Sequence, residues 1–210
     1  MISILVVDDH PVVREGLKQI LQGMPETVVL DEAGSAQETL GKISENDYDM
    51  VILDISLPDR NGLDVLKDLR RMKPVLRILV VTMHPEEQYA LRTLKAGAYG
   101  YLTKDAASDE LVLATRTICS GRKYIGLSVA EKLAFALDTE AEKLPHELLS
   151  NREYQVMCMI ASGKTTTEIA RELMLSVKTV STYRSRILSK MRLKNNMELI
   201  HYAIKHRLVD

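Results

Sequence analysis

Cysteine is scarce in this chain: Cys119 and Cys158 are the only two among 210 residues. Both lie in segments with helical spacing of apolar residues, which argues against a disulfide framework and favours a reducing compartment. Long apolar runs are also missing, since none approaches the roughly 18 residues of a membrane-spanning helix. The first seven residues contain no basic residue and are followed directly by Asp8 and Asp9, so no signal peptide is expected. These absences predict a soluble, cytoplasmic protein that makes no contact with a membrane.

Glycine and proline are not in excess, at 10 and 6 residues. This excludes a collagen-like chain and argues against disorder as the main state. Hydrophobic residues make up 46% of the chain and charged residues 27%, as in ordinary globular proteins. A chain of 210 residues is long enough to bury a core without disulfides and corresponds to about one or two domains.

Charge is distributed unevenly along the chain, although the formal net charge is only −1. Residues 1–124 contain 15 basic and 19 acidic side chains, and residues 125–145 contain 2 and 4. Residues 146–210 contain 11 basic and 6 acidic side chains, a net charge of +5. An acidic N-terminal part joined to a basic C-terminal part, or tail, suggests that the tail binds a polyanion.

Short apolar runs alternate with amphipathic segments through the first 120 residues. The runs predict strands at Ile2–Val7, Thr27–Glu32, Met50–Leu53, Arg77–Val81 and Tyr99–Leu102. The amphipathic segments predict helices at Val12–Leu21, Ala36–Ile43, Leu63–Met72, Glu86–Lys95 and Ser108–Cys119. The runs are almost continuously apolar, which is typical of strands covered on both faces. Five strand–helix repeats predict an α/β domain with a five-stranded, doubly wound parallel sheet, and we assign it to residues 1–121.

The pattern changes after residue 121. Residues 122–146 are predicted to be a linker that contains a helix at Leu127–Leu137 and then a polar, acidic stretch. Residues 147–210 show no strand pattern and predict a small all-α domain. Its helices are expected at Arg152–Ser162, Thr167–Leu173, Val177–Met191 and Asn196–His206.

Polar residues mark the starts of these helices. Ser150 and Glu153 are three residues apart, as in a capping box, and Thr166 and Ser176 are expected to cap the second and third helices. The second and third helices are joined by the short turn Met174–Ser176. Two helices with such a turn are the plan of a helix-turn-helix.

Acidic side chains stand where two of the predicted strands end: Asp8 and Asp9 after the first, and Asp54 after the third. Thr82 follows the fourth strand, and Lys104 lies just beyond the fifth. In an open parallel sheet these ends share one edge, where ligands bind. Three carboxylates in one crevice need a cation, and a small number of oxygen ligands favours Mg²⁺. The set predicts a phosphoryl-transfer site in which an aspartate can be the acceptor.

Three further aspartates, Asp59, Asp64 and Asp68, lie in and just before the predicted helix that follows the third strand. None of them is at a strand end. We therefore assign all three to the solvated face.

Four separated blocks resemble the receiver domains of response regulators: Val6–His10, Ile52–Gly62, Val80–His84 and Gly97–Lys104. The resemblance implies a flavodoxin-like fold in which Asp54 accepts a phosphoryl group from a partner histidine kinase. It also implies that Mg²⁺ is held by Asp9 and Asp54, by Asp8 through water, and by the backbone carbonyl of Ser56. The resemblance implies three further roles. Thr82 donates its hydroxyl to the phosphoryl oxygens, Lys104 is the cation paired with them, and Tyr101 is an aromatic switch.

The segment Ser176–Lys194 carries six basic residues and no acidic one. Its predicted helix has small polar residues on one face and apolar residues on the other, so the polar face can approach base edges in a major groove while cations bind phosphates. The expected DNA contacts are Lys178, Thr179, Ser181, Thr182, Arg184, Ser185, Arg186 and Lys190.

The tail resembles the LuxR-type helix-turn-helix of the NarL/FixJ family. The matching residues are Leu149–Glu153, Ala161–Gly163, Glu168–Ala170, Leu173, Ser176–Val180, Ile187, Lys190 and Glu198–Leu199. The two resemblances together imply a bacterial two-component response regulator, in which phosphorylation controls sequence-specific binding to promoter DNA and transcription. They imply no enzymatic activity beyond slow self-dephosphorylation, and a homodimer when phosphorylated. A candidate dimer contact is the last helix, through Leu199, Ile200, Ala203 and Ile204.

Two alternatives remain open at the level of sequence. One is a constitutive DNA-binding protein whose receiver no longer switches, although the complete set of acidic, threonine and lysine residues argues against it. The other is a Mg²⁺-dependent phosphotransferase or phosphatase on a similar sheet. That enzyme would need a substrate pocket and a separate general acid or base, and it would leave the basic tail unexplained.

Overall fold

The computed structural model describes residues 1–26, 28–84, 86–126, 130, 144–206 and 208–209. Contacts divide the chain into two compact units, Met1–Asp138 and Thr139–Asp210. The division falls within the segment 122–146 that the sequence assigns to a linker. Nearly all of the helix predicted at 127–137 lies outside the described residues.

The first unit is built on a five-stranded sheet in the order β2-β1-β3-β4-β5, and every neighbouring pair is parallel. The strands are β1 (Ile2–Val7), β2 (Val28–Ala33), β3 (Met50–Leu53), β4 (Arg77–Thr82) and β5 (Gly100–Thr103). The sequence prediction of a doubly wound parallel sheet is confirmed, with strand bounds that agree to within one residue.

Five helices connect the strands: α1 (Pro11–Gln22), α2 (Ala36–Glu45), α3 (Gly62–Met72), α4 (Glu86–Lys95) and α5 (Ser108–Cys119). Side chains fix several of their starts. Ser35 accepts a hydrogen bond from the backbone N–H of Glu38 at the start of α2, and Asn61 accepts one from Leu63 at the start of α3. Each cap satisfies an N–H that the first turn of a helix leaves without a partner.

The core of this unit lies on both faces of the central strands. All four residues of β3 are buried, and so are the last four of β1. One face packs Ile4, Val6, Met50, Ile52 and Leu79 against α1 and α5. Burial on both faces explains why these strands are continuously apolar in sequence rather than alternating.

In the described residues of the second unit, every element of regular secondary structure is a helix. A short 3₁₀ helix at Pro145–Leu148 precedes four α-helices: α6 (Asn151–Ala161), α7 (Thr166–Glu172), α8 (Val177–Met191) and α9 (Asn196–Lys205). The capping box of Ser150 and Glu153 is confirmed, and Ser176 caps α8. The cap predicted for α7 is wrong by one residue. The side chain of Thr165 accepts the hydrogen bond from the backbone N–H of Glu168, three residues later, as an N-cap does. Thr166 is already the first residue of the helix.

Helix α9 contradicts part of the expected dimer face. Leu199 and Ala203 are fully buried inside their own unit, whereas Ile204 is 55% exposed. The apolar spacing of α9 therefore reflects packing within its own domain, where α9 contacts α6. Among the described residues, no helix is both long and apolar enough to span a membrane.

Candidate functional site

The carboxyl ends of β1, β3, β4 and β5 meet at one edge of the sheet and form a charged pocket. Lys104 lies at its centre: its Nζ atom is 2.5 Å from Oδ2 of Asp8 and 2.7 Å from Oδ2 of Asp54. Thr82 is the last residue of β4 and therefore lies at the same edge of the sheet. The sheet thus brings together residues that lie up to 96 positions apart in the chain. Their convergence is expected, because each of them lies at the carboxyl end of a strand.

Both carboxylates bonded to Lys104 are buried, with Asp8 and Asp54 exposed by only 1% and 2%. Burial lowers the pKa of Lys104, but the attraction of Asp54 and Asp8 outweighs it and raises the pKa above its ordinary value. The lysine is therefore charged at neutral pH. One ammonium faces two buried carboxylates, so the pocket keeps an excess of negative charge.

Asp9 and His10 extend the cluster toward solvent. Oδ1 of Asp9 is 2.6 Å from Nδ1 of His10, and the side-chain ligand atoms of Asp8, Asp9 and His10 all lie within 4.8 Å of one another. Carboxylate oxygens are the ligands that Mg²⁺ prefers. The donor set and its excess negative charge fit a divalent cation at this edge of the sheet.

The hydroxyl of Thr82 is fully buried, and its Oγ1 atom has no hydrogen-bond partner among the described residues. A buried hydroxyl without a partner is costly, because it has lost its bonds to water. Such a group is well suited to donate to an oxyanion bound beside Asp54.

A glycine at the start of α3 lets that helix pack closely on the loop after β3. Gly62 donates its backbone N–H to the carbonyl of Ile55 at 2.8 Å, and a Cβ at Gly62 would lie 2.3 Å from the carbonyl oxygen of Asp54. Ser56, in the same loop, donates its N–H to Oδ1 of Asp54 at 3.2 Å and bridges to Asn61. The backbone of α3 therefore packs directly on the loop that follows β3, which only glycine permits.

Tyr101 is turned inward in this structure. Its side chain is nearly buried, and its hydroxyl donates a hydrogen bond to the carbonyl of His84 at 2.7 Å. The ring of His84 stacks on Tyr89 with centroids 4.3 Å apart, and its Nε2 atom lies 3.1 Å from Oγ of Ser56. Tyr101 thus ties β5 to the loop after β4 and, through His84, to the loop that carries Asp54.

Asp59 is exposed, as its assignment to the solvated face predicts, but it has partners that the sequence does not show. Its two carboxylate oxygens accept hydrogen bonds from the backbone N–H groups of Ala36 and Gln37, both at 2.9 Å. Burial raises its pKa, but these and other backbone hydrogen bonds outweigh that effect and lower the pKa below the ordinary value. Asp59 joins the loop after β3 to the start of α2. No local signal shows these bonds, since its partners are 22 and 23 residues away.

Helix α8 presents the predicted DNA-binding face. Val180, Ile187 and Met191 are buried, which leaves the opposite face to solvent. The exposed members of the predicted contact set are Lys178, Ser181, Thr182, Ser185, Arg186 and Lys190. The hydroxyls of Thr182 and Ser185 donate to carbonyls one turn earlier in the same helix, so their oxygens are left as acceptors toward solvent.

Two members of the predicted DNA-binding set have partners within their own unit. Nε of Arg184 donates to Oδ1 of Asn196 at 2.6 Å. Nζ of Lys190 donates to Oε2 of Glu153 at 2.6 Å, and the Glu153 side chain is only 4% exposed. The sequence shows the charge of both residues but not these partners.

Comparison with known proteins identifies both units. The family model described as "Response regulator receiver domain" matches residues 4–116, and that described as "Bacterial regulatory proteins, luxR family" matches residues 147–203. The response regulator UvrY of Escherichia coli K12 is 37% identical over 211 aligned residues, which cover 100% of this chain and 97% of UvrY. The response regulator GacA of Pseudomonas syringae pv. syringae B728a is also 37% identical, with 100% and 99% covered.

Solved structures agree with this relationship. RcsB of Salmonella enterica serovar Typhimurium, bound to promoter rprA in the presence of phosphomimetic BeF₃⁻, matches with a TM-score of 0.64 and 25% identity over 96% of this chain and 98% of RcsB. A structure of two RcsB dimers bound to two parallel DNAs matches with a TM-score of 0.60 and 25% identity over 100% and 99%. With a receiver and a LuxR-type helix-turn-helix in this order, the chain belongs to the NarL/FixJ family of two-component response regulators, which control transcription.

Proposed function

We propose that Asp54 is the phosphoryl acceptor of this response regulator, that a sensor histidine kinase or a small phosphodonor is the donor, and that phosphorylation controls the binding of α8 to promoter DNA in the cytoplasm. The observation that carries the proposal is the surroundings of Asp54. Its buried carboxylate lies 2.7 Å from the ammonium of Lys104. The same sheet edge holds two further aspartates and a threonine hydroxyl for which the described residues supply no partner.

The protein groups divide the work of phosphoryl transfer. An oxygen of Asp54 attacks phosphorus, the bond from phosphorus to the donor breaks, and the donor leaves with the electron pair and takes up a proton. Lys104 is placed to pair with the phosphoryl oxygens and Thr82 to donate a hydrogen bond to one of them. We assign Mg²⁺ to Asp8, Asp9, Asp54 and the carbonyl of Ser56. When bound, it neutralises charge on the phosphoryl oxygens.

Phosphorylation changes the contacts available to residues that face the pocket. A phosphoryl group on Asp54 competes with Asp8 for Lys104 and offers Thr82 an acceptor. Tyr101 is bonded to the β4–α4 loop two residues beyond Thr82, so movement of that loop is expected to reach β5. We infer that this change favours a homodimer that places two α8 helices on two half-sites. The RcsB dimers seen on DNA support this arrangement.

The first residues of the predicted linker lie against the same strand. The N–H of Tyr124 donates to the carbonyl of Tyr99 at 2.8 Å, and its hydroxyl donates to Glu110 of α5 at 3.0 Å. Tyr124 also forms a parallel bridge with Gly100. A route from the pocket to the linker through β5 is consistent with these contacts.

The acceptor is tested by intact mass after incubation with a small phosphodonor and Mg²⁺. Wild type is expected to gain one phosphoryl group and Asp54→Asn none. Asp64→Asn is the matched control, because it makes the same change at another aspartate of the receiver, and it is expected to behave as wild type. Labelling of Asp54→Asn would refute the assignment. Absence of labelling on all three proteins requires a binding test with beryllium fluoride, and failure there as well would favour the constitutive DNA-binding alternative.

The DNA-binding part of the proposal is tested with duplex DNA at several salt concentrations. Because α8 is expected to neutralise phosphates, affinity should fall steeply as salt rises. Phosphorylated wild type should bind more tightly than unphosphorylated protein and sediment as a dimer. An affinity that does not depend on salt would contradict the proposed docking of α8 in a groove.

A further inference from the structure

Lys190 occupies an unusual place among the cations of α8. It lies in the last turn of the helix, and its ammonium is bonded to a carboxylate of α6 that is almost completely buried. The same oxygen of Glu153 also accepts the backbone N–H of Ser150 at 2.8 Å, which completes the capping box at the start of α6. Lys190 therefore supplies the positive charge that this buried carboxylate requires.

Arg184 is the informative contrast, since it also has a partner within the unit. Its partner is the neutral amide of Asn196, and the bond uses only the Nε–H of the guanidinium. A guanidinium has five N–H donors, so four of them stay available for a phosphate. The Lys190 side chain is 43% exposed and its ammonium has three N–H donors, but they all belong to one compact charged centre, which is bonded to the buried carboxylate. If its ammonium moved to a DNA phosphate, the buried carboxylate of Glu153 would be left without a cation.

Position along α8 separates Lys190 from the residues expected to read bases. It lies 12 residues after Lys178 in the sequence, which corresponds to about 18 Å along the axis at roughly 1.5 Å per residue. In a helix-turn-helix the N-terminal residues of the recognition helix contact the base edges. Lys190 lies at the other end, against α6.

From these contacts we infer that Lys190 is a positioning residue: it anchors the C-terminal end of the recognition helix to the capping box of α6 and does not contact DNA phosphate. This revises the DNA-contact role expected for Lys190 from the sequence. The inference rests on the proposed function of α8 as the DNA-binding helix.

Salt dependence of DNA affinity distinguishes a positioning lysine from a phosphate contact. The experiment uses the full chain, a mixed-sequence 30-base-pair duplex as the probe, and a low temperature at which every variant is folded. Lys178→Gln and Arg184→Gln are expected to reduce the steepness of log affinity against log salt by about 0.9 each, the value for one lost phosphate contact. Lys190→Gln is expected to weaken binding by the same factor at every salt concentration and to leave the slope unchanged. A slope reduced by about 0.9 in Lys190→Gln would overturn the inference.

Hydrogen exchange tests the anchoring itself and does not depend on DNA. In Lys190→Gln, the amides at the start of α6 and the end of α8 are expected to exchange faster. Lys190→Arg keeps a cation and should restore both their protection and the DNA affinity. The double variant Glu153→Gln, Lys190→Gln removes both charges, so it should be less perturbed than Lys190→Gln alone.

Unchanged exchange in Lys190→Gln, or a double variant whose defect is the sum of the two single ones, would overturn the anchoring role. Wild type that binds no duplex DNA would instead refute the proposed function of α8. In that case the exchange results still decide whether Lys190 anchors the helix.

Discussion

Each of the two units places a lysine beside buried carboxylate, and the difference between the two clusters is one of charge balance. In the receiver, Lys104 faces Asp8 and Asp54 together, with Asp9 next to them. In the helical unit, Glu153 is the one carboxylate among the described residues that is bonded to Lys190, and it also accepts a backbone N–H. The first cluster keeps an excess of negative charge and the second is neutral.

The comparison teaches that a buried ion pair by itself does not mark a chemical site. A neutral pair such as Lys190–Glu153 has no excess charge to offer a ligand, and it serves to hold two helices together. The receiver pocket has carboxylate in excess and, at Thr82, a hydroxyl that finds no partner in the described part of the chain. A cation and a phosphoryl group would satisfy these groups, which supports the proposal that the pocket is the site of phosphoryl transfer.

Removal of the central cation from the receiver is expected to have the largest effect. Lys104→Gln leaves Asp8 and Asp54 buried without a cation, which should lower the free energy of unfolding by about 3–5 kcal/mol in the presence of a chelator. Urea denaturation measures this loss, and hydrogen exchange of the strand peptides identifies the receiver transition. Because a divalent cation neutralises the same carboxylates, added Mg²⁺ should recover part of the stability.

Lys123→Gln is the matched control, because it removes the charge of an exposed lysine in the same unit. It should be as stable as wild type. Equal stability of Lys104→Gln and Lys123→Gln would show that the buried carboxylates do not depend on Lys104.

A change beside the pocket that leaves its charge intact is expected to have the next largest effect. Gly62→Ala places a Cβ 2.3 Å from the carbonyl oxygen of Asp54, and this should cost about 1–3 kcal/mol of stability and slow phosphorylation by the small phosphodonor. Gly16→Ala is the control. No atom lies within 4 Å of its added Cβ, and an alanine inside α1 should stabilise the chain by about 0.5–1 kcal/mol. Phosphorylation of Gly62→Ala at the wild-type rate would argue against a positioning role for Gly62.

The sequence predicts the pocket better than it predicts the contacts around it. Asp8, Asp54, Thr82 and Lys104 follow apolar runs that can only be buried strands, and parallel strands bring their ends together. Their convergence is therefore a consequence of topology. The strand bounds agree for the same reason, since continuous burial leaves a clear apolar signal that ends where the chain leaves the core.

The contacts of Asp59 and Lys190 show where the prediction stops. Asp59 bonds to amides 22 and 23 residues away, and Lys190 bonds to a carboxylate 37 residues away. In sequence, each resembles any polar residue on a solvated helix or loop. Only the packing of one element on another decides whether a long side chain reaches a partner or water, and local spacing carries no record of that choice.

Local capping tests how far the recognition helix depends on its own sequence. Ser176 accepts a hydrogen bond from the N–H of Thr179 at 3.0 Å, and Ser176→Ala should lower the stability of the helical unit by about 1 kcal/mol. Thermal unfolding followed by circular dichroism measures the loss. Ser189→Ala, at an exposed position of the same helix, is expected to be neutral or slightly stabilising. Equal effects of the two changes would argue against the cap.

The smallest expected effect is a pH dependence of the helical unit. Burial raises the pKa of Glu153, but its hydrogen bonds with Lys190 and Ser150 outweigh burial and lower the pKa below the ordinary 4.5. The folded state thus holds this proton less tightly than the unfolded state, so the stabilisation is complete above the unfolded pKa and is lost as pH falls through the folded one. Relative to the intrinsic exchange rate at each pH, the amides at the start of α6 should lose protection below about pH 4.5 in wild type and lose less in Glu153→Gln, which has no proton to gain. Parallel pH profiles for the two proteins would mean that another carboxylate controls the acid sensitivity of this unit.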